Sequence, residues 1–239
     1  MSLKAVLFNF NGIIIKDDFI HQQLVDDILL AENLSPSGTQ YQQFYLGKSD
    51  RIGLRNLFSI RGRIIDDKYL QQLLDKKAQA YQQVMNQMEK LPVVEKVIEF
   101  ILQTQTKHTP LAIVTGASRT EVEYVLKRAN LKQYFPVIVS GDDVENCKPD
   151  PQCYFKALRK LNEIYPDLSL KASECLAIED TYIGIQSAKG AGIQVAGVAN
   201  TYPFHMLQRQ SNWCVDHLME LDLDWVNSQM SGEKVPLVQ

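Results

Sequence analysis

Four short segments of this sequence carry side chains that could hold a phosphate group beside a metal ion. In chain order they are Phe8-Asn9-Phe10-Asn11-Gly12, Thr115-Gly116-Ala117-Ser118, Lys148-Pro149-Asp150-Pro151 and Glu179-Asp180-Thr181. A hydroxyl and backbone amides at the start of a helix attract anions, because the helix dipole and the unpaired N–H groups favour negative charge. Thr115 and Gly116 suit this role, and Lys148 could neutralise a bound phosphate as a point charge.

The adjacent acids Glu179 and Asp180 could hold a hard cation such as Mg²⁺ through their oxygen atoms. As an alternative, both acids could simply complement the dipole of the helix that follows them. Each segment alone is a weak signal, since Asn-Gly is most often a turn and Thr-Gly or Lys-Pro is ordinary loop chemistry. Their ordered combination predicts a pocket for Mg²⁺ and phosphate.

The strands and helices around these four segments must position them. In the sequence, apolar runs of strand length alternate with helical patterns. The predicted strands are residues 5–8, 111–114, 137–139, 176–178 and 195–198. Continuously apolar strands separated by helices predict βαβ units and a buried parallel sheet. Crossover helices are predicted over 118–129 and over 182–191, before Gly192.

The stretch of residues 17–90 has a different pattern. It holds Gln-rich amphipathic helices at 19–31, 50–58 and 67–88 and no strand pattern. Because it follows the first strand directly, we predict an inserted α-helical cap domain over 17–90 and a Rossmann-like core domain over 1–16 and 91–239. Ligands of open α/β sheets bind outside the carboxyl ends of the strands, so this cap would cover the site as a lid.

The four ordered segments, with a helical insertion after the first, resemble the haloacid dehalogenase-like superfamily in its β-phosphoglucomutase and phosphoglycolate phosphatase subgroup. The resemblance extends from residue 3 to about residue 226, and the segment EDTYIGIQSAKGAGIQVAGV is especially similar. It implies an α/β fold with a helical cap. It also implies a Mg²⁺-dependent phosphatase or phosphomutase that acts on small phosphorylated metabolites.

The family's first motif is Asp-x-Asp-Gly, in which the first aspartate attacks phosphorus and binds Mg²⁺ and the second is the general acid and base. Asn9 and Asn11 occupy those two catalytic positions here. The resemblance assigns phosphate binding to Thr115, Gly116 and Lys148. It assigns the metal to Asn9, Asn11, Glu179 and Asp180.

The two asparagines remove both catalytic roles. An amide is a poor nucleophile, and it cannot carry the proton transfer that usually contributes about 10² to 10⁴ in rate. One metal-ligating carboxylate also becomes a neutral carbonyl oxygen, which weakens Mg²⁺ binding. We therefore predict a hydrolase by family with impaired turnover. The alternative is a non-catalytic relative that binds a phosphorylated metabolite and signals through cap closure.

Three alternatives concern the two asparagines: they are natural substitutions, they were introduced deliberately, or deamidation converts one of them to an acid. The family usually continues its first motif with an aspartate and a small hydroxyl residue, where this chain has Lys16 and Asp17. These further departures favour natural substitution over a deliberate isosteric replacement. Glycine after Asn11 exposes the side-chain amide to attack by the next backbone nitrogen, so deamidation could regenerate an acid there.

The composition excludes several classes of partner. The chain has 239 residues, a net charge of −3 and 25 scattered basic residues, so no basic stripe predicts nucleic-acid binding. Four cysteines without CxxC spacing predict free thiols. The N-terminal run lacks the length of a signal peptide, and no apolar stretch reaches the roughly 20 residues that span a bilayer. We expect a cytoplasmic protein with no nucleic-acid or membrane partner.

Other polar residues receive no catalytic assignment. The four histidines, His21, His108, His205 and His217, have no spacing that predicts a metal site, so structural or surface roles are expected. Lys48 and Arg51 lie near a Gly47 turn, and related proteins contact substrate with cap residues. We nevertheless expect Lys48 and Arg51 to lie on an exposed helix face.

Overall fold

The structure is a computed structural model that describes residues 2–232, and its centre is a parallel β-sheet. The strands are β1 Ala5–Phe8, β2 Leu111–Val114, β3 Val137–Val139, β4 Cys175–Glu179, β5 Gln194–Val198 and β6 Trp213–Val215. They lie in the order β3-β2-β1-β4-β5-β6, and each neighbouring pair is parallel. The predicted Rossmann-like α/β architecture is confirmed. No helix in the described range is long and apolar enough to cross a membrane.

The helices fill the connections between strands and the long segment after β1. They are α1 Asp18–Ala31, α2 Gln40–Phe44, α3 Asp50–Ser59, α4 Asp67–Gln87, α5 Val97–Thr106, α6 Arg119–Arg128, α7 Gln152–Ile164, α8 Tyr182–Gly190, α9 Phe204–Leu207 and α10 Leu223–Ser231. Short 3₁₀ helices occur at Lys132–Tyr134, Gly141–Asp143, Pro166–Leu168, Ala172–Glu174 and Leu218–Glu220. The predicted crossover helices correspond to α6 and α8.

Alternation along β1 creates an apolar core on each face of the sheet. Side chains of a strand point to opposite faces in turn, so Val6 and Phe8 enter one cluster with helices α5, α6 and α10. Ala5 and Leu7 enter the other cluster, which includes residues of α7 and α8. Burial on both faces explains why β1 is apolar at every position. The sheet is therefore covered on both sides, and its exposed groups lie at the strand ends.

The edge strand β6 is absent from the sequence prediction. It has three residues, all only partly buried, and it pairs with β5 alone. Its sequence, Trp213-Cys214-Val215, is too short to show a periodic pattern. Its place in the sheet comes from tertiary pairing and not from local preference.

Helices α1 to α4 lie between β1 and α5 and pack around an apolar cluster of their own. That cluster comprises Val25, Leu29, Tyr41, Tyr45, Leu54, Leu57, Phe58, Leu70 and Leu73. The predicted helices at 19–31, 50–58 and 67–88 agree with α1, α3 and α4 within one residue at each end. We call residues 17–90 the helical segment. Its status as a separate inserted domain with those boundaries stays a prediction.

Candidate functional site

The carboxyl ends of β1, β2 and β4 meet beneath the helical segment and enclose a polar cavity. The cavity is lined by Asn9, Asn11, Asp18, His21, Tyr41, Tyr45, Leu46, Gly47, Lys48, Asp50, Thr115, Gly116, Ala117, Asp180, Thr181 and Thr201. The structure thus brings together most of the residues that the sequence singled out. Lys148 and Glu179 do not line the cavity, and they lie behind Asn9.

Every polar atom of the Asn9 side chain has a partner. Its Oδ1 accepts a hydrogen bond from Lys148 Nζ at 2.9 Å. Its Nδ2 donates to the backbone carbonyl of Asn11 at 2.8 Å and to Asp180 Oδ1 at 2.9 Å. The network itself assigns this orientation, because the flipped amide would face a donor with its nitrogen and two acceptors with its oxygen. The site is complementary to an amide at residue 9.

All hydrogen-bond donors of the Lys148 side chain are bonded to protein acceptors. Its Nζ donates to Asn9 Oδ1, to the carbonyl of Val114 at 2.8 Å and to Glu179 Oε1 at 2.6 Å. An ammonium has three N–H groups, so all of them are used. Glu179 also accepts from Tyr154 at 2.6 Å. Burial lowers the pKa of Lys148, but Glu179 outweighs it and holds this pKa above its ordinary value. Lys148 can contact a phosphate directly only by releasing one of these partners.

Asn11 and Asp17 form a matched pair. Asn11 Nδ2 donates to Asp17 Oδ1 at 3.0 Å, and Asn11 Oδ1 accepts from Thr115 Oγ1 at 3.4 Å. The buried Asp17 carboxylate also bonds Tyr81 at 2.6 Å and His21 Nε2 at 3.1 Å. Burial raises the pKa of Asp17, but His21 and these hydrogen bonds lower it below its ordinary value. An aspartate at residue 11 would place a second carboxylate against Asp17, so an amide at residue 11 is complementary to Asp17.

The local geometry at Asn11 disfavours deamidation. The backbone N–H of Gly12, the group that would attack the amide, donates to the carbonyl of Ile15 at 2.7 Å. Gly12 has a φ of 77°, which favours glycine. With the attacking nitrogen bonded and the Asn11 amide held by Asp17, the pair lacks the freedom that ring closure requires.

A buried set of charges joins the helical segment to the core beside Asn11. Lys77 Nζ on α4 lies 2.8 Å from Asp50 Oδ2, 2.9 Å from Glu121 Oε1 and 2.9 Å from His21 Nδ1. Burial lowers the pKa of Lys77, yet Asp50 and Glu121 raise it above its ordinary value. His21 Nδ1 faces Lys77, and its Nε2 lies 3.1 Å from both Asp17 Oδ2 and Asn11 Nδ2. Burial lowers the pKa of His21, but Asp17 outweighs it and holds this pKa above its ordinary value. We call Asp17, His21, Asp50, Lys77 and Glu121 the ionic cluster.

Sequence reasoning assigned no role to His21, and the structure places it in the cavity wall and in the ionic cluster. The signal that could have found it is the four-residue spacing from Asp17, which puts both on one helix face. The Lys77 contacts span 56 and 44 residues of sequence. Separations of that kind leave no local pattern to read.

The turn before α3 presses against the loop after β2. A Cβ at Gly116 would lie 2.5 Å from the backbone oxygen of Lys48, and a Cβ at Gly141 would lie 2.3 Å from the backbone oxygen of Gly116. The expectation of an exposed helix face is wrong for Lys48, which lies in this turn and lines the cavity. Glycine at 116 therefore allows the helical segment to close directly over the cavity floor.

The cavity floor offers backbone donors to an anion. The amides of Phe10, Asn11 and Gly116 donate to no acceptor among residues 2–232. Ser118 caps the start of α6 by accepting from the amide of Glu121, and the helix dipole points its positive end this way. Oriented amides of this kind form concave sites for phosphate oxygens.

Three acids line the cavity, namely Asp18, Asp50 and Asp180. Burial, followed by the nearby Glu179 charge, raises the pKa of Asp180 to about 8. Burial, followed by the Asp17 charge, raises the pKa of Asp18 to about 6. The carboxyl of Asp180 is further held by hydrogen bonds from Asn9 Nδ2 and the Thr201 hydroxyl. Asp18 therefore ionises below neutral pH and Asp180 above it, while Asp50 is paired with Lys77.

The residues present do not fit the Mg²⁺ that the family resemblance implies. The carbonyl of Asn11 and the carboxylate of Asp180 are two of the expected metal ligands, and both accept hydrogen bonds from Asn9 Nδ2. Magnesium requires oxygen ligands at about 2.0–2.1 Å with lone pairs directed at the ion. Among residues 2–232, no group of three or more His, Cys, Asp or Glu side chains is placed to hold a metal.

Comparisons with known proteins agree with this arrangement of elements. A family model described as haloacid dehalogenase-like hydrolase matches residues 6–198. The chain is 26% identical over 202 residues to a phosphorylated carbohydrates phosphatase of Thermotoga maritima, and the match covers 83% of this chain and 87% of that protein.

Two solved structures are similar across most of the chain. The β-phosphoglucomutase of Clostridium difficile has a TM-score of 0.83 at 16% identity, with 96% of this chain and 98% of that chain covered. A mutant of CbbY from Rhodobacter sphaeroides, in complex with xylulose-(1,5)bisphosphate, has a TM-score of 0.79 at 20% identity, with 92% and 96% covered. At these identities the structural similarity shows the fold alone.

Proposed function

This chain belongs to the haloacid dehalogenase-like hydrolases, and from that membership we propose that it binds a small phosphorylated metabolite without transferring the phosphoryl group through residue 9. The family includes phosphatases of small phosphorylated compounds, such as the relative from Thermotoga maritima. The proposal keeps the family's ligand class and removes its covalent step.

The single observation that carries this proposal is the bonding of Asn9. Its oxygen accepts from Lys148, and its nitrogen donates to Asn11 and Asp180. A neutral amide is a poor nucleophile, and here its lone pairs and protons are engaged on the protein side. Asn11, bonded to Asp17, cannot exchange a proton with a leaving group. Both catalytic positions are occupied by side chains that hold structure.

The cavity itself supports binding. Asn11, Thr115 and Gly116 line the cavity at the carboxyl edge of the sheet, where open α/β sheets bind ligands, and the amides of Asn11 and Gly116 donate to no acceptor among residues 2–232. The ligand of the similar CbbY structure, xylulose-(1,5)bisphosphate, belongs to the same chemical class. The sugar-like part of a ligand would face Tyr41, Tyr45 and the rest of the helical segment.

In this proposal, residues 17–90 act as a cap domain over a core of residues 1–16 and 91–239. The contact of Lys48 with Gly116 and the ionic cluster hold the cap closed. A cap that responds to a bound ligand could report it to a protein partner. The cytoplasmic location expected from the sequence stays a prediction.

The test measures phosphate release from a panel of sugar phosphates and phosphoglycolate, with and without Mg²⁺. Three proteins are compared: the chain itself, Asn9→Asp/Asn11→Asp, and Asn9→Asp/Asn11→Asp/Asp17→Thr. We expect no release by the chain above the level of an Asn33→Asp control, which carries the same substitution at an exposed residue. We expect the triple variant to be the most active, because it also removes the Asp17 carboxylate, which would otherwise face the new acid at residue 11 across about 3 Å.

Each result decides between the alternatives. Equal release by the chain and by the variants would show that Asn9 does not block turnover. Release by the triple variant alone, with phosphate binding by the chain, supports the proposal. If the chain binds neither inorganic phosphate nor any panel compound in a calorimetric titration, the binding function is wrong.

A further inference from the structure

We propose that this site receives the phosphate group of its ligand without a divalent cation, because the Asn9 amide already makes the contacts that a cation would make. The phosphate part of this statement rests on the function proposed above. The cation part concerns the chain alone and can be tested separately. It follows from contacts, space and charge at Asn9.

The hydrogen bonds of Asn9 occupy the position that a cation would take. The two N–H groups of Asn9 Nδ2 point at the Asn11 carbonyl oxygen and at Asp180 Oδ1, at 2.8 and 2.9 Å. A magnesium ion bound to the same oxygens would need to stand about 2.0–2.1 Å from each. The nitrogen and its hydrogens occupy the space between those oxygens. Cation and amide donor therefore exclude each other at this position.

The Asn9 amide cannot turn over readily to make room. Rotation by half a turn would direct its oxygen at the Asn11 carbonyl and at Asp180, and its NH₂ group at the ammonium of Lys148. Each present contact would become a contact between two donors or two acceptors. Lys148 is buried and already donates to Val114 and Glu179. It cannot follow the movement without leaving these partners.

The charge count gives the same answer. Compared with a motif of two aspartates, Asn9 and Asn11 remove two negative charges, which is the charge that one divalent cation would offset. Of the charges that remain, Lys148 and Glu179 form a buried pair at 2.6 Å. Asp180 accepts from neutral donors, Asn9 Nδ2 and the Thr201 hydroxyl. Among these residues only Asp180 is left without a cationic partner, one negative charge where the two-aspartate motif would leave three.

Close packing against Gly12 holds the Asp180 carboxylate in its position beside Asn9. A Cβ on Gly12 would lie 1.8 Å from Asp180 Oδ2. The carboxylate thus lies directly on the backbone of the first motif, between Asn9 and Thr201. A glycine with a φ of 77° leaves the room that this packing needs.

The test titrates Mn²⁺, a paramagnetic substitute for Mg²⁺, into the full chain and follows water proton relaxation. The chain is compared with Asn9→Asp, which restores a carboxylate, and with Asn33→Asp, which adds the same charge at an exposed residue. We expect no saturable Mn²⁺ binding by the chain or by Asn33→Asp up to about 1 mM. We expect Asn9→Asp to bind at least about tenfold more tightly, because ligand charge tunes the affinity of oxygen sites.

Inorganic phosphate is then titrated into the chain by calorimetry, once with a chelator and once with Mg²⁺ in excess. We expect the two dissociation constants to agree within about twofold, since no cation bridges protein and ligand. Saturable Mn²⁺ binding by the chain below about 1 mM, or phosphate affinity that rises about tenfold with Mg²⁺, would overturn the inference. If phosphate binds under neither condition, the proposed function fails, and the Mn²⁺ titration still decides the question of the cation. Thermal unfolding verifies that Asn9→Asp is folded.

Discussion

Two buried polar regions lie side by side in this molecule and differ in how many charged side chains they contain. The first, which we call the motif site, comprises Asn9, Asn11, Lys148, Glu179 and Asp180. It contains one ion pair, Lys148 with Glu179 at 2.6 Å, and its other hydrogen bonds each involve at least one neutral group. The second is the ionic cluster, where three acids surround Lys77 and His21.

The difference between the two regions indicates where charge is needed. At the motif site, which we propose binds phosphate without turnover, the two positions expected to carry catalytic acids hold the amides Asn9 and Asn11. In the ionic cluster, Asp50 on α3 and Glu121 on α6 flank Lys77 on α4, and Asp17 before α1 is bonded to His21. Removing one partner of a buried ion pair leaves an uncompensated charge, which is strongly destabilising. The charges of the ionic cluster therefore help to hold the helical segment on the core.

The largest expected effect comes from breaking the ionic cluster. Lys77→Met leaves Asp50 and Glu121 buried without a cation, and we expect the free energy of unfolding at pH 7.5 to fall by about 3–5 kcal/mol. Urea unfolding measures it. As a control, Lys107→Ala removes the exposed ion pair with Asp224 and should cost less than about 1 kcal/mol. Similar losses in both variants would show that the buried ionic cluster contributes no more to stability than an exposed ion pair does.

The pH dependence of Lys77→Met sharpens this prediction. Burial raises the pKa of Asp50, but Lys77 outweighs it and lowers this pKa below its ordinary value in the folded chain. The stability that Asp50 contributes is therefore present above its unfolded pKa and is lost as the pH falls through the folded value. Without Lys77 the acids favour protonation. We expect the deficit of the variant to shrink as the pH falls towards 4.

An intermediate effect is expected where the two regions touch, at Asn11 and Asp17. Asn11→Asp places two carboxylates about 3 Å apart, so we expect a loss of about 2–3 kcal/mol at pH 8 and a smaller loss at pH 5, where the pair can share a proton. Asn11→Asp/Asp17→Thr should be more stable than the sum of the single changes predicts, by about 1–2 kcal/mol. A double-mutant cycle from urea unfolding measures this coupling. Additive losses would mean that the two substitutions are independent.

The smallest effect is expected at the cavity surface, where Asp18 belongs to neither region. Its pKa is raised from 3.8 to about 6, chiefly by burial. Because this pKa is raised in the folded chain, the contribution of Asp18 to the free energy of unfolding is fully present below its ordinary pKa of 3.8. That contribution is lost as the pH rises through about 6. We expect Asp18→Asn to stabilise the chain by about 1 kcal/mol at pH 7.5, after allowance for partial exposure, and to have no benefit at pH 4. Melting curves between these values test it, and an equal benefit at both would contradict it.

The sequence predicts the frame of this molecule well, for a physical reason. Buried parallel strands are apolar at every position, so β1, β2, β3, β4 and β5 stand out as continuous runs. Since the carboxyl ends of parallel strands share one edge of a sheet, the residues that follow β1, β2 and β4 are expected to lie close together. Local pattern therefore locates Asn9, Thr115 and Asp180 at one site.

The sequence does not predict how the polar groups at that site pair. Which way the Asn9 amide turns depends on Lys148, which lies 139 residues away in the chain. Lys148 looks like a free phosphate ligand in the sequence, yet the fold engages all three of its N–H groups with protein acceptors. Pairings of this kind are settled by geometry between distant elements, so residue types alone cannot reveal them.

The contact of the Lys48 carbonyl with Gly116 also has a consequence for time scales. A ligand bound on the cavity floor as proposed would lie beneath the turn that carries Lys48, so it would leave only after that turn had moved. Opening must also separate Lys77 from Glu121, whose side chains lie 2.9 Å apart in a buried pair. Release would then be limited by the opening rate of the helical segment, as in proteins whose lids set the slow step. We expect long residence times even for ligands of modest affinity, because slow opening lowers the association and dissociation rates together.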